Sequence, residues 1–397
     1  MILTYGVHSE AGKLRRVLVH RPGSEMARLT PANAESLLFD DVLWVKQARI
    51  DHMAFVDILR ERGVEVVLLR EMLEEVLAIP VARRWLLQAR ISDNSVGVGL
   101  SADLLACLAE MPAKPLSHIL IGGMSRAELP IPESGVVVPM LRPEDFLLPP
   151  MPNTIFTRDS SCWIYGGVTM NPMFWTARRL ETLNLAAIYR FHPDFADASF
   201  PIWFGDPLID HGMATLEGGD VMPIGNATVL IGMGERTTPQ AVGQVARALF
   251  AGGGAERVIA CQFPRARSSM HLDTVFTFCD RDLVTVFAEV TDAIQAYSLR
   301  PSDKGGVTVT AEKHPFLTWS PKRLASRNSA LCPLVATPTS RSANNGMTQT
   351  TCSASAPASW WDTNGTNIPT LCCARRASKS SPFRARNSGA GAVGRIA

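Results

Sequence analysis

Near the start of the chain, short apolar runs alternate with turn sequences and with stretches of helical period. Leu14–His20 predicts a strand, which the turn sequence Arg21-Pro22-Gly23 ends. Apolar positions then recur at spacings of three and four from Val45 to Leu59. This spacing predicts a helix, and the β-rich run Val64–Leu69 that follows predicts a second strand. A strand–helix–strand start is typical of α/β proteins.

His52 falls on the apolar stripe of the predicted helix, between Ala48 and Phe55. A buried imidazole needs partners for its two ring nitrogens. We therefore expect a core or interface histidine with a satisfied hydrogen bond, rather than a ligand.

Helical period dominates residues 70–130, where breaks at Ile79-Pro80 and Asn94–Gly99 separate the helices predicted at Leu73–Leu87 and Ala102–Met111. Beyond Gly135, β-rich runs return, with the helix Pro239–Ala251 between two of them. The predicted strands are Val136–Val138, Ser161–Tyr165, Val229–Gly232, Val258–Cys261, Val275–Cys279 and Val284–Ala288. Repeated strand, strand, helix units predict an α/β protein with mixed sheets and a helical insertion.

After Leu317 both periodicities disappear, and the charge changes as well. Residues 318–397 hold ten Lys/Arg and one acid, Asp362, while residues 1–317 hold 29 basic and 36 acidic groups. A mildly acidic body argues against a nucleic-acid partner. This composition predicts a disordered tail, although Trp360, Trp361 and four cysteines are unusual in a disordered segment.

The cysteine spacing contains no CxxC pair and no disulfide-like framework. The N-terminus lacks a basic segment followed by an apolar run, and no run approaches the roughly 18–20 apolar residues of a membrane span. We therefore expect a cytoplasmic protein without a membrane partner.

Several charged residues between Asn153 and Asp273 suggest chemistry. His271-Leu272-Asp273 precedes a β-rich run, and on a strand residues two apart face the same side, so the imidazole and the carboxylate would point into one space. Glu217-Gly218-Gly219-Asp220 places an acid beside two glycines, which indicates close backbone approach or a plain loop. Asp159, delivered to a loop rim, completes the set of carboxylates. In the simpler interpretation, Arg158 and Asp159 form surface ion pairs.

Arg178 and Arg236 lie between these carboxylates in the sequence. Carboxylates, an imidazole and two arginines would suit a cationic substrate that also carries a carboxylate. A metal held by His271, Asp273 and Glu217 is the alternative, which two arginines in the same cleft would disfavour. We expect no metal and no cofactor.

Taken together and in order, the motifs resemble arginine deiminase over residues 5–317. They are Ser9-Glu10 with His20-Arg21-Pro22-Gly23, Leu37-Leu38-Phe39-Asp40-Asp41, Phe156-Thr157-Arg158-Asp159, Arg178-Arg179, Glu217-Gly218-Gly219-Asp220, Gly234-Glu235-Arg236-Thr237 and His271-Leu272-Asp273. The resemblance implies a five-bladed, pseudo-symmetric α/β propeller formed by residues 1–70 and 131–317. Residues 71–130 would form its helical insertion, the last blade would be incomplete or disordered, and residues 318–397 would be a non-homologous tail.

The resemblance also implies the reaction, hydrolysis of L-arginine to L-citrulline and ammonia by thiol catalysis. Asp159 and Asp273 would clamp the substrate guanidinium, Glu217 would assist in binding and proton handling, and His271 would be the general acid and base. The amino-acid end of L-arginine would be held by Asn153, Phe156, Arg178 and Arg236. The sequence leaves homo-oligomer formation open.

The nucleophilic cysteine of the family has no counterpart that we can identify. In the family it follows a Gly-Arg-Gly-Arg-Gly-Gly run near the C-terminus, and neither Cys372-Cys373 nor Cys261 nor Cys279 lies in such a context. Codon arithmetic suggests a reason. If the last base of each codon is joined to the first two of the next, Trp360–Asp362 gives Val-Gly, Ser388–Gly394 permits Gly-Arg-Gly-Arg-Gly-Gly, and Ile396–Ala397 permits Cys.

We therefore interpret residues beyond about 317 as a tail translated out of phase, with a genuinely diverged tail as the rival. Two alternatives to the deiminase follow: a non-catalytic remnant or arginine-binding protein, and another guanidine-modifying enzyme such as an amidinotransferase.

Sequencing the locus tests the phase change. The DNA downstream of codon 317 should encode the family motifs, including the glycine–arginine run and a cysteine, in the alternate phase. A locus that encodes none of these motifs in any phase would leave divergence as the explanation.

Overall fold

The computed structural model describes residues 5–281, 283–303, 305–317 and 330–334, the last as backbone alone. The first part of the chain follows the predicted order. Strand β1 (Arg16–Val19) and helix α1 (Ser24–Ala27) are followed by α2 (Val45–Glu61) and strand β2 (Glu65–Leu68). Strands β1 and β2 pair in parallel, with Arg16 opposite Glu65, and α2 is the crossover between them. This confirms the strand–helix–strand start.

The segment between β2 and the next strand is helical, and its breaks lie where the sequence predicts them. Ile79 is extended, as expected for a residue before proline, and Pro80 occupies the first turn of the next helix, where its missing N–H costs nothing. The helices are α3 (Leu69–Ala78), α4 (Pro80–Arg90), α5 (Asp93–Val96), α6 (Ser101–Glu110) and α7 (Ala113–Gly122). Their apolar faces form one buried cluster. The assignment of residues 71–130 to an inserted domain stays a prediction.

The remaining elements follow in chain order. They are β3 (Met124–Ser125), α8 (Val137–Met140), β4 (Phe146–Leu148), α9 (Thr157–Ser160), β5 (Ser161–Ile164), β6 (Gly167–Met170), α10 (Glu181–Phe191), α11 (Pro193–Ala196), β7 (Ile202–Phe204), β8 (Val221–Pro223), β9 (Thr228–Met233), α12 (Pro239–Ala251), β10 (Arg257–Gln262), β11 (Phe276–Asp280), β12 (Leu283–Phe287), α13 (Ala288–Thr291), β13 (Gln295–Pro301), β14 (Val307–Ala311) and β15 (Ala330–Leu334). The helix predicted at Pro239–Ala251 is confirmed at both ends, with Pro239 in its first turn.

One structural unit recurs along the chain: an antiparallel strand pair, a helix, and a third strand parallel to the second. It occurs in β5-β6-β7 and in β8-β9-β10. Strands β11, β12 and β15 pair in the same way, but β13 and β14 lie between β12 and β15 along the chain. Strands β13 and β14 extend the second sheet, and β3 pairs with β4. The α/β fold with mixed sheets is confirmed, and the described strands form five sheets. Closure of these sheets into a five-bladed ring stays a prediction.

Two local predictions are wrong. Val136–Val138 was predicted as a strand, but Val137–Met140 forms a single helical turn. Pro139 lies in that turn, where its missing N–H is tolerated, whereas a strand would lose a ladder hydrogen bond there. His52 is buried as predicted, yet both of its ring nitrogens lack a hydrogen-bond partner in the described part of the chain. Burial, supported by the charges of His20 and Arg21, lowers the pKa of His52 to about 4, so it is neutral.

The predicted tail, residues 318–397, and the incomplete last blade lie outside the described residues except for β15. Among the described helices, none combines the length and the apolar character that crossing a bilayer requires.

Candidate functional site

The candidate site is formed where four separate segments of the chain meet. Asp159 lies in α9, directly before β5, and Glu217 precedes a 3-10 turn, Gly218–Asp220, that leads into β8. His271 precedes another 3-10 turn, Leu272–Thr274, and Arg178 ends a third one, Thr176–Arg178, just before α10. All four side chains are buried. The loop rim predicted for Asp159 is therefore wrong, since its carboxylate lies inside the protein.

Asp159, Glu217 and His271 form a compact cluster. His271 Nε2 and Glu217 Oε2 are 2.8 Å apart, and His271 Nδ1 is 3.9 Å from Asp159 Oδ1. One ligand atom from each of the three lies within 4.8 Å of the others. The sequence therefore identified three residues that the fold brings together from positions as much as 112 apart in number (271 − 159).

Both predicted arginines reach this cluster. Arg178 donates from Nη1 to Asp159 Oδ2 at 2.9 Å and to Glu217 Oε2 at 3.5 Å. Arg236 donates to the same Glu217 oxygen at 3.2 Å. The surface ion pairs considered for Arg158 and Asp159 are wrong for Asp159, whose ion pair with Arg178 is buried. Arg158 forms a half-buried ion pair with Glu10 through two hydrogen bonds of 2.7 and 3.0 Å.

The remaining predicted binding residues border Arg178. Asn153 is buried; its carbonyl oxygen accepts from Arg178 Nη2 at 3.4 Å, and its amide donates to the Leu37 carbonyl at 2.7 Å. The Phe156 ring centroid lies 5.8 Å from the Arg178 guanidinium carbon, within the range of a cation–π contact. The structure thus brings Asn153, Phe156, Arg178 and Arg236 to one side of the cluster.

Asp273 is placed differently from the prediction. Residues 272–274 form a 3-10 turn and not the start of a strand, so His271 and Asp273 do not share the face of a strand. Asp273 is half-buried, and its backbone carbonyl accepts from Thr277 Oγ1 at 2.7 Å. The metal set considered from the sequence, His271 with Asp273 and Glu217, is accordingly replaced by Asp159, Glu217 and His271 as the group with the required spacing. Because Arg178 and Arg236 already donate to this group, a cationic metal would compete with them. The expected absence of a metal stays a prediction.

The charges of the cluster hold His271 and Glu217 in their ionised forms. Burial alone would lower the pKa of His271, but the charge of Asp159 and the hydrogen bond and charge of Glu217 outweigh it and raise the pKa to about 9. Burial would raise the pKa of Glu217, but the hydrogen bond to His271 and the charges of Arg178 and Arg236 lower it. The site therefore contains an imidazolium paired with a carboxylate at neutral pH.

Two buried carboxyl groups that the sequence did not single out support the site. Asp220 accepts from Thr237 Oγ1 at 2.6 Å and from the backbone N–H of Leu272 at 2.8 Å, so it ties the segments carrying Glu217, Arg236 and His271 together. Burial raises the pKa of Asp220 to about 6, against the charge of His271.

Glu181 is the second of these groups. It accepts from Arg178 Nε and Nη2 at 3.1 and 3.0 Å, and burial raises its pKa to about 7, against the charge of Arg178. The sequence contains an indication of this ion pair, because Arg178 and Glu181 are three residues apart, a spacing that brings two side chains together at the start of a helix.

The comparisons with known proteins identify a family. The model of the family described as arginine deiminase matches residues 35–330. The class defined by this fold and site is that of guanidine-modifying α/β enzymes. Because the match spans well over half of the sequence, this chain belongs to the arginine deiminase family. The match ends at residue 330, a little beyond the boundary near 317 inferred from the sequence.

Several solved structures resemble the chain at low sequence identity and low TM-score. A mutant DDAH from Pseudomonas aeruginosa complexed with citrulline is 14% identical, with a TM-score of 0.38 and 70% of each chain covered. SxtG, an amidinotransferase from Microseira wollei in the saxitoxin biosynthetic pathway, is 13% identical, with a TM-score of 0.40 and 73% of each chain covered. The inosamine-phosphate amidinotransferase from Streptomyces griseus is 12% identical, with a TM-score of 0.36, and the match covers 72% of this chain and 70% of that one.

The two glycines after Glu217 are required by close approach. A Cβ at Gly218 would lie 1.9 Å from the Arg158 carbonyl oxygen. We expect Gly218→Ala to lower the free energy of unfolding by about 2 kcal/mol or more, as overpacking does. Gly243→Ala is the matched control, because a Cβ there meets nothing within 4 Å in helix α12 and should stabilise by about 0.5–1 kcal/mol. Chemical denaturation measures both, and equal effects of the two substitutions would contradict the packing argument.

The pKa of His271 makes stability depend on pH. Its pKa is raised from 6.5 to about 9 on folding, so its contribution is complete below pH 6.5 and is lost as the pH rises through about 9. Denaturation of the wild type and of His271→Gln across this range should show a stability difference that is largest near pH 6 and shrinks toward pH 9.5. His8→Gln, at an exposed position, is the control and should leave the profile unchanged. Parallel profiles for wild type and His271→Gln would show that His271 is not charged in the folded protein.

Proposed function

We propose that this chain binds L-arginine in the cluster of Asp159, Glu217 and His271, and that the site is that of an arginine deiminase built on a five-bladed propeller. The reaction of such a site is hydrolysis of L-arginine to L-citrulline and ammonia, without a cofactor. The observation that carries the proposal is a buried pair of carboxylates beside a charged imidazole, with two arginines at one side, in a chain of the arginine deiminase family.

The carboxylates suit a guanidinium in particular. A guanidinium is planar, stays charged because its pKa exceeds 12, and offers N–H groups in a fixed fork that matches carboxylates. Glu217 Oε1 is fully buried and accepts no hydrogen bond from the described residues. A buried carboxylate oxygen without a donor is costly, which supports a ligand N–H at this position. Asp273 is proposed as the second clamp, together with Asp159.

His271 is proposed as the general acid and base. Held as an imidazolium by Asp159 and Glu217, it can give a proton to the departing ammonia and later take one from water. Glu217 would stabilise the charged form in the meantime. This role requires the imidazole to reach the leaving nitrogen, which the 2.8 Å contact between His271 and Glu217 supports if Glu217 binds that nitrogen as well.

The arginines suit the other end of the substrate. Arg236 Nε is buried and makes no hydrogen bond with the described residues, and its ion-pair partner Glu235 Oε2 is 3.8 Å away, so this N–H can donate to an incoming carboxylate. Arg178, Asn153 and Phe156 lie on the same side of the cluster. A free α-carboxylate paired with two arginines favours L-arginine over a guanidine that lacks a carboxylate.

Turnover of L-arginine requires a nucleophilic thiol, whereas binding does not. A catalytic thiol needs a lowered pKa, but burial raises the pKa of both Cys162 and Cys261. Cys162 Sγ lies 3.1 Å from Thr169 Oγ1, and Cys261 Sγ points along its own strand toward the Ile259 carbonyl. Neither thiol is suited to attack a guanidinium carbon. We therefore propose that this chain retains arginine binding but lacks efficient turnover. This favours the non-catalytic arginine-binding alternative over an amidinotransferase.

Titration of the full chain with L-arginine in a calorimeter, with a citrulline assay at neutral pH, tests the proposal. We expect saturable binding, turnover many orders of magnitude below that of a complete deiminase, and loss of binding by about a hundredfold in Asp159→Asn, because a buried charged pairing is removed. Asp57→Asn, at an exposed surface ion pair, is the matched control and should bind as the wild type does. Failure of the wild type to bind L-arginine would refute the binding function, and rapid citrulline production would refute the loss of the nucleophile.

A further inference from the structure

Arg178 occupies the carboxylates that a substrate guanidinium would need. Its Nη1 donates to Asp159 at 2.9 Å and lies 3.5 Å from Glu217, so the guanidinium of the protein itself sits across the proposed guanidinium site. The same side chain is proposed to receive the substrate carboxylate. A substrate guanidinium can donate to the unpaired Oε1 of Glu217 while Arg178 stays in place. It can take Asp159 Oδ2 and Glu217 Oε2 only after Arg178 Nη1 has left them, so Arg178 cannot serve the carboxylates of the protein and of the substrate from one position.

Glu181 allows Arg178 to leave Asp159 and Glu217 without losing every charged partner of its guanidinium. It holds the far side of the Arg178 guanidinium through Nε and Nη2, at 3.1 and 3.0 Å, and its side chain is 1% exposed. If Nη1 leaves Asp159, two hydrogen bonds to Glu181 remain. A buried arginine still needs a partner for the group that it released, since an unpaired buried charge costs several kcal/mol. The carboxylate of the substrate is the partner that arrives at the same moment.

We propose that Arg178 is a specificity-determining residue: an internal guanidinium, positioned by Glu181, that competes for Asp159 and Glu217 until a guanidine that also carries a carboxylate displaces it. A guanidine without a carboxylate meets the same competitor but gives the displaced Nη1 no new partner. The site therefore selects guanidino acids, because with other guanidines the free energy needed to displace Arg178 is not offset by a new carboxylate partner. This inference rests on the proposed function, because it concerns selectivity at the same site.

Removing the competitor should have opposite effects on two ligands, L-arginine and n-butylguanidine, which lacks the carboxylate. In Arg178→Gln, n-butylguanidine should bind about threefold or more tightly than in the wild type, because Asp159 Oδ2 loses its charged donor and Glu217 keeps only His271 and Arg236. L-Arginine should bind about tenfold or more weakly, because its carboxylate loses a charged partner. A residue with a purely structural role would weaken both ligands together.

Glu181→Gln should act in the other direction on n-butylguanidine. Without the charge of Glu181, the remaining charged partners of Arg178 are Asp159 and Glu217, so Arg178 binds them more tightly and both ligands should weaken by about threefold or more. Arg90→Gln is the control for loss of a buried arginine, because Arg90 lies in helix α4 and its side chain hydrogen-bonds only to the Pro149 carbonyl among the described residues. It should leave both affinities unchanged.

Calorimetry on the full chain measures these affinities, and thermal unfolding shows which variants are folded. If the wild type binds L-arginine but Arg178→Gln leaves the affinity for n-butylguanidine equal or lower, the competition is refuted while the proposed function stands. If the wild type binds no L-arginine, the proposed function itself fails. If the variants do not fold, acetate added to the wild type gives the answer. By supplying Arg178 with a carboxylate, acetate should strengthen n-butylguanidine binding, and no gain at acetate concentrations up to about 0.1 M, where general screening is still modest, would overturn the proposal.

Discussion

The structure around the site depends on one buried carboxylate, that of Glu217. Its side chain is fully buried, and one of its oxygens, Oε2, faces His271, Arg178 and Arg236 at 2.8, 3.5 and 3.2 Å. Removing a carboxylate from water costs several kcal/mol unless charged donors replace the water. Three other segments of the chain must therefore position His271, Arg178 and Arg236 accurately around this carboxylate. This requirement explains why buried polar contacts, and not only apolar packing, fix the relative positions of the loops.

Asp220 shows how that accuracy is reached. One of its oxygens accepts from Thr237, next to Arg236, and the other accepts from the N–H of Leu272, next to His271. Thr237 Oγ1 in turn accepts from the Glu217 N–H at 3.1 Å. These bonds link the backbones that carry the three charged groups. The two glycines between Glu217 and Asp220 allow close approach of the Arg158 backbone and of the His271 ring. A Cβ at Gly219 would lie 2.7 Å from His271 Nδ1.

Sequence patterns predicted the fold well where local chemistry decides the outcome. The helix Pro239–Ala251 has a proline in its first turn and a threonine cap, and it ends where predicted. The strands β9 and β10 are apolar runs of ordinary length. Prediction failed where distant parts of the chain decide. The valines of 136–138 favour a strand, but a single turn that buries Val138 and accommodates Pro139 forms instead. His271-Leu272-Asp273 was placed on a strand, but contacts with Asp220 and Glu217 hold it in a 3-10 turn.

The sequence by itself determined the α/β class, the order of elements and the identity of the charged residues Asp159, Glu217, His271, Arg178 and Arg236, because each is readable from periodicity, turn residues or motifs. Only the tertiary structure decided how these charges pair. It showed that Arg178 pairs with Asp159 and that Glu181 binds the other side of the same guanidinium. It also showed that Asp159 is buried and not at a rim, and that Asp273 lies in a 3-10 turn and not on a strand. Pairing depends on distances between segments far apart in the chain, and no local pattern carries that information.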